Sequence, residues 1–182
     1  MLIKFDLKKL GSLLDDFFNV SGITISIWDA EYNELIFSPK QNTDFCRMIK
    51  ETEKGRKLCR ACDLELCKRS LVSGRPCRHY CHVGLIDIAM PIFYNDMLYG
   101  FMMFGQLTDS NNKDTAAKLI GECCKNLQLD EKAMFSAYDK LNSVYDEKLI
   151  ESACNIVDVC VKNILFSDAI RLETNLQFSE ID

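Results

Sequence analysis

A chain of 182 residues, 48% hydrophobic and 27% charged, is long enough to bury a core without disulfide staples. Its net charge of −5 argues against general nucleic-acid binding, and no apolar run approaches the roughly 18 residues a membrane span needs. The N-terminus has neither the continuous apolar stretch nor the small-residue cleavage site of a secretory leader. The expected compartment is therefore the cytoplasm, where the ten cysteines are reduced, metal-bound or buried.

Residues 4–19 carry Phe5, Leu7, Leu10, Leu13, Leu14, Phe17 and Phe18 at helical spacing, and Gly22 follows as a stop signal. ITISIWD (23–29) alternates and is β-branched, so it predicts a strand; AEYNE is a turn, and LIF (35–37) a short return strand. From Phe45 to Leu71 the apolar spacing predicts helix interrupted at Gly55, and SGRPC (73–77) reads as a loop. CHVGLIDIAMPIFY (81–94) predicts a strand, Asn95-Asp96 a hairpin turn, and MLYGFMMFGQL (97–107) the returning strand. DSNN precedes a helix over 113–126, another helix is expected near 130–139, and a long one runs from Asp146 onward. Strands grouped with helices make an α+β domain: a PAS/GAF-like central antiparallel sheet with helices over one face and a long C-terminal helix. Layers of this kind leave a cavity between sheet and helices.

Residues 46–82 hold ten Lys/Arg against four Asp/Glu, a surplus of +6 that leaves −11 for the rest of the chain. The same block holds Cys46, Cys59, Cys62, Cys67, Cys77 and Cys81. Cys59 and Cys62 form a C-x-x-C pair, and Cys77 and Cys81 a second close pair, as in a zinc ribbon or knuckle. Basic neighbours favour thiolates, or attract an anion; a solvated helix face is the plainer meaning of the same lysines. If residues 81–90 are extended, Cys81, Val83, Leu85, Asp87 and Ala89 share one face. His82, Gly84, Ile86, Ile88 and Met90 then share the other. Cys81 and His82 could then hold one ion only if the strand begins after them. A thioredoxin-type role for the C-x-x-C lacks a strand leading into it. Adjacent Cys and His seldom form a nucleophile–base pair, so no enzymatic constellation is evident. Cys123, Cys124, Cys154 and Cys160 sit among apolar helical neighbours and read as small hydrophobes.

Three segments, FCRMIKETEKGRKLCRACD, CHVGLIDIAMPI and LYGFMMFGQL, together resemble the PocR sensory domain, over roughly residues 5–165. The matching positions are Cys46, Cys59, Cys81, His82, Gly84, Leu85, Pro91, Gly105 and Gln106. The resemblance implies a PAS-like ligand-binding module of the kind found in AraC-type regulators, histidine kinases and cyclic-dinucleotide enzymes. It also implies small hydrocarbon derivatives, such as propanediol or glycerol, as ligands. Cys62, Cys67 and Cys77 stand outside the family pattern, which makes Cys46, Cys59 and Cys81 the core cysteine set.

The expected organisation is a single sensory domain over residues 1–182, with 146–182 as a signalling helix. The expected function is non-catalytic sensing of a small-molecule ligand, with His82, Asp87, Met102, Phe104 and Gln106 at the site. A strand carboxylate such as Asp87 also has the plain alternative of facing solvent. The alternative function is a metal or redox sensor in which Cys46, Cys59 and Cys81, with Cys62 or His82, hold zinc or an iron–sulfur cluster. In the terminal helix Ile150, Cys154, Val157, Val161 and Ile164, then Leu165, Ala169, Leu172 and Leu176, follow heptad-like spacing. They pack on the domain's own core or pair two copies in a homodimer. A downstream output domain, AraC-type DNA-binding or kinase, is the expected partner, with no direct contact to nucleic acid or membrane by this chain.

Overall fold

The computed structural model describes residues 6–144 and 147–179. Phe5, Asp146 and residues 180–182 lie outside the described residues, as do the side chains of Ala169, Leu172 and Leu176. Helix α1 (Leu7–Ser21) is capped by Asp6, whose side chain accepts from Lys9 N–H, and ends at Gly22 in the left-handed conformation. Strands β1 (Thr24–Asp29) and β2 (Glu34–Ser38) form the expected first hairpin.

The helical region breaks three residues before the expected glycine. α2 (Asp44–Glu51) ends and α3 (Glu53–Ser73) begins at Thr52, which is extended; its hydroxyl donates to Ile49 O and accepts from Gly55 N–H. Gly55 serves a different end, since a Cβ there would overlap the Ile49 carbonyl oxygen. β3 (Cys77–Tyr80) starts at the last residue of the 73–77 stretch expected to be loop. β4 (Ile86–Tyr94) and β5 (Met97–Asp109) turn at Asn95 and Asp96, both at positive φ as a tight hairpin demands. A 3-10 turn (Ser110–Asn112), α4 (Lys113–Leu127), α5 (Glu131–Tyr138), a two-residue β6 (Ser143–Val144) and α6 (Glu147–Ser179) follow.

The fold is α+β. Five strands lie in the order β2-β1-β5-β4-β3 with every neighbouring pair antiparallel, and β6 adds a short parallel pairing to β5. Helices cover both faces of this sheet. Ile25, Ile27, Ile88, Met102 and Phe104 pack with α1 and α6; Trp28, Ala89, Phe101 and Met103 pack with α3 on the other side. A third cluster joins α2, α4 and α5 to Val83 and Leu85.

Much of the α6 heptad stripe is spent inside the chain. Cys154, Val157, Val161 and Leu165 are buried against the sheet, with Ile150 and Ile164 beside them. Among the described residues, the large apolar side chains that α6 turns outward are Ile156 and Val159, 66% and 68% exposed. Among the described residues no helix is long and apolar enough to cross a membrane.

Candidate ligand-binding site

The strand expected from Cys81 begins at Ile86 instead. Cys81 N–H donates to Leu85 O and Gly84 N–H to Cys81 O, each at 2.8 Å, so residues 81–85 close the β3–β4 hairpin as a tight turn. Gly84 sits at φ 80°, and a Cβ there would stand 3.0 Å from Ala116 Cα of α4. The alternation that put Cys81 and His82 on opposite faces therefore does not apply. Both line one cavity, while Val83 and Leu85 anchor the turn in the α2–α4–α5 cluster.

A second irregularity shapes the opposite wall. Ile86 pairs with Leu107 and Ile88 with Phe104, so Gly105 and Gln106 both stand opposite Asp87, a bulge in β5. Gln106 takes φ 60°, and its backbone N–H donates to Asp87 Oδ1 at 3.1 Å. Its side-chain oxygen accepts from Thr43 N–H and from the Thr43 hydroxyl, at 3.1 and 2.7 Å, and its amide nitrogen donates to Asn42 Oδ1 at 2.9 Å. Gln106 thus ties the bulge to the N-cap of α2, leaving at most one amide hydrogen for anything else.

Strand register corrects the expected lining. Met102, fully buried, belongs to the α1–α6 side of the sheet and does not line the cavity; its neighbour Met103 does. Phe104 borders the cavity, but its ring packs edge-on against Phe17 on the other side, 5.8 Å between centroids. Asp87 does face the cavity, together with His82, Cys46, Cys59, Cys62 and Cys81. Sequence reasoning missed Ser26, Glu34, Lys50 and Asp63, which line it too. On helices and strand ends such residues carry no signal that separates them from a solvated surface.

The cavity measures about 70 Å³, room for roughly five water-sized groups. Several of its polar walls are internally satisfied. Thr24 Oγ1 donates to Gly105 O at 2.8 Å, Trp28 Nε1 donates to Ser26 Oγ at 2.7 Å, and Cys59 Sγ lies 3.3 Å from His82 Nε2. The carboxylates differ. Beyond the single Gln106 bond, Asp87 makes no hydrogen bond or ion pair among the described residues, and Asp63 makes none. Burial, with the Asp63 charge adding, pushes Asp87 up to about 7. Burial also lifts Asp63 to about 6, against the pull of Lys50 and with a push from Glu34.

The cysteines respond to burial rather than to the basic block. Cys46 is pushed up to about 12 by burial and by Asp87; Cys59 reaches about 12, chiefly by burial, with Lys50 opposing. Cys81 is likewise raised, and burial lowers His82. Burial thus opposes the thiolate form that the basic surplus favours. Among the described residues no three His, Cys, Asp or Glu side chains converge as a metal-holding group. Cys123, Cys124 and Cys154 are buried apolar packers, as expected.

A wider, more open groove of about 410 Å³ lies across the sheet, between Arg75–Arg78 and Ile150–Asn155. Its polar side chains are Arg75, Arg78, Glu151 and Asn155.

The sequence model for the family described as "Sensory domain found in PocR" matches residues 4–168. The chain belongs to the PocR sensory-domain family. Among characterised proteins it resembles the regulatory protein PocR of Salmonella typhimurium (strain LT2), 30% identical over 111 residues. That match covers 57% of this chain but 34% of the relative. The shared region is thus a sensory part of a longer regulatory protein. The turn at Cys81–Leu85 and the bulge at Gly105–Gln106 fall on the positions that carried the family resemblance.

Proposed function

We propose that this PocR-family domain is a non-catalytic sensor that binds one small polar organic molecule in the cavity between the sheet and α2–α3. The carrying observation is the half-buried Asp87 carboxylate, with one bond to Gln106 N–H and its remaining acceptor capacity facing that cavity. A ligand donor there meets a carboxylate already partly withdrawn from water. The volume suits a short hydrocarbon frame with one or two polar groups, the size of propanediol or glycerol. His82, with its ring against Cys59, is the second contact; Phe104 and Met103 supply apolar wall.

Strand β4 offers a route for the signal. Asp87 faces the cavity, while Ile86 and Ile88 on either side pack into the cluster that seats Cys154 and Val157 of α6. A ligand that draws on Asp87 would shift the strand α6 rests on, and α6 would pass the change to an output domain, of AraC or kinase type, outside this chain. Ile156 and Val159 on the outward side of α6 are the residues through which two copies would pair. The domain itself works in this reading without touching nucleic acid or membrane.

The four cysteines and His82 around one cavity support the alternative, a zinc or redox sensor, which requires those side chains to reorient and lose their protons. Metal analysis of protein purified under reducing conditions separates the two: one equivalent of zinc or iron per chain favours the alternative. For the ligand reading, thermal melting with a panel of C2–C4 diols, glycerol, short alcohols and their amino analogues should reveal a saturable rise in melting temperature. A panel with no saturable member would reject it.

A further inference from the structure

The cavity's charge narrows the ligand class. Three carboxylates line it, Glu34, Asp63 and Asp87, against one cation, Lys50. Lys50 does not neutralise them by contact: its ammonium donates to Asn42 Oδ1 at 3.2 Å, and no ion pair joins it to Asp63 or Asp87 among the described residues. Arg60, the next cation, lies 4.7 Å over the Trp28 ring and donates to Tyr32 O; its charge reaches Asp63 and Glu34, but it makes no ion pair with either among the described residues. The two carboxylates thus come from separate elements, α3 and β4, and Asp87, half-buried and bonded once to Gln106 N–H, has its remaining acceptor capacity toward the cavity. Such carboxylates discriminate strongly by ligand charge. A cation restores the counter-charge they lack, a neutral hydroxyl only donates a hydrogen bond, and an anion adds repulsion.

We propose that the ligand is a small aliphatic amine of amino-alcohol size, bound as its ammonium between Asp87 and Asp63, with its short hydrocarbon frame against Met103. This rests on the reading of the cavity as the sensory site and specifies what enters it.

Three near-isosteres test it by calorimetry on the intact domain: 1-amino-2-propanol, 1,2-propanediol and lactate. The amine is expected to bind at least about tenfold tighter than the diol, with lactate showing no binding. Asp87→Asn keeps the Oδ1 acceptor for Gln106 N–H, so it should fold. It is expected to cost the amine about tenfold or more, a larger loss than it causes for the diol. Asp63→Asn is the second variant, with the same expected direction. A diol that binds as tightly as the amine, or an amine indifferent to both substitutions, overturns the amine assignment and leaves the sensory cavity standing. Failure of all three compounds, together with the wider panel of diols and amino alcohols, overturns both.

Discussion

Gly105 leaves the space that the Asp87 carboxylate fills: a Cβ at 105 would overlap Asp87 Oδ1 and stand 3.0 Å from its Cγ. Ala for Gly in a strand normally gains about 0.5–1 kcal/mol. Here Gly105→Ala should instead destabilise by roughly 1–3 kcal/mol through overpacking. Urea denaturation of Gly105→Ala, Asp87→Ala and the double variant checks the pairing. Most of the alanine penalty at 105 should vanish when Asp87 is already truncated; additive effects would show that the two side chains do not compete for space.

Asp87 also fixes a pH dependence. Its folded value of about 7 lies above the ordinary unfolded value of about 3.9. Between those values the folded chain holds a proton that the unfolded chain has lost, so this group's contribution to stability falls as pH rises from about 4 to 7, then levels. Asp87→Asn removes that titration. Relative to wild type, the variant should gain stability with pH, by at least about 1 kcal/mol between pH 5 and 8. A constant difference across that range would place Asp87 in an ordinary solvated setting.

Gln106 is a strut before it is anything else. Gln106→Ala loses the bonds to Thr43 and Asn42, about 1–3 kcal/mol. It also keeps a Cβ at φ 60°. Gln106→Gly loses the same bonds but relieves the backbone, so melting temperatures should rank wild type, then Gly, then Ala. Equal melting for wild type and Ala, with ligand binding lost, would return Gln106 to the role of ligand anchor.

Thiols pushed up to about 12 at Cys46 and Cys59 are poor nucleophiles at neutral pH. Alkylation by iodoacetamide, followed residue by residue in a mass spectrometer, should be slow at these two positions at pH 7.5, and the melting temperature should not change on chelator treatment. Fast alkylation after release of stoichiometric metal would reverse both statements.

The fold was legible where pattern and turn chemistry agreed. The alternation of 23–29, the Asn95-Asp96 turn and the Gly22 stop located three strands and the end of α1. The site was legible in residue identity but not in geometry. His82, Asp87 and the four cysteines do share a cavity, yet the alternation drawn through 81–85 ignored Gly84, the residue that signals a turn. In β5, Phe101, Met102, Met103 and Phe104 are apolar on both faces because helices cover both faces, so periodicity could not choose Met103 over Met102. The Gly105–Gln106 bulge has a sequence trace in its glycine, but the need for it comes from Asp87, a tertiary partner 18 residues upstream of Gly105. Asp63 and Lys50 look like any helix-surface charges until the helices are placed.

The central claim is that the cavity around Asp87 is where the sensed molecule binds. Amide chemical-shift mapping during titration with the tightest compound from the panel tests it directly. Saturable shifts are expected at residues 24–26, 46–50, 59–63, 81–87 and 103–106, abolished together by Asp87→Asn for an amine ligand. Shifts concentrated instead along the groove between Arg75–Arg78 and Ile150–Asn155 would contradict it.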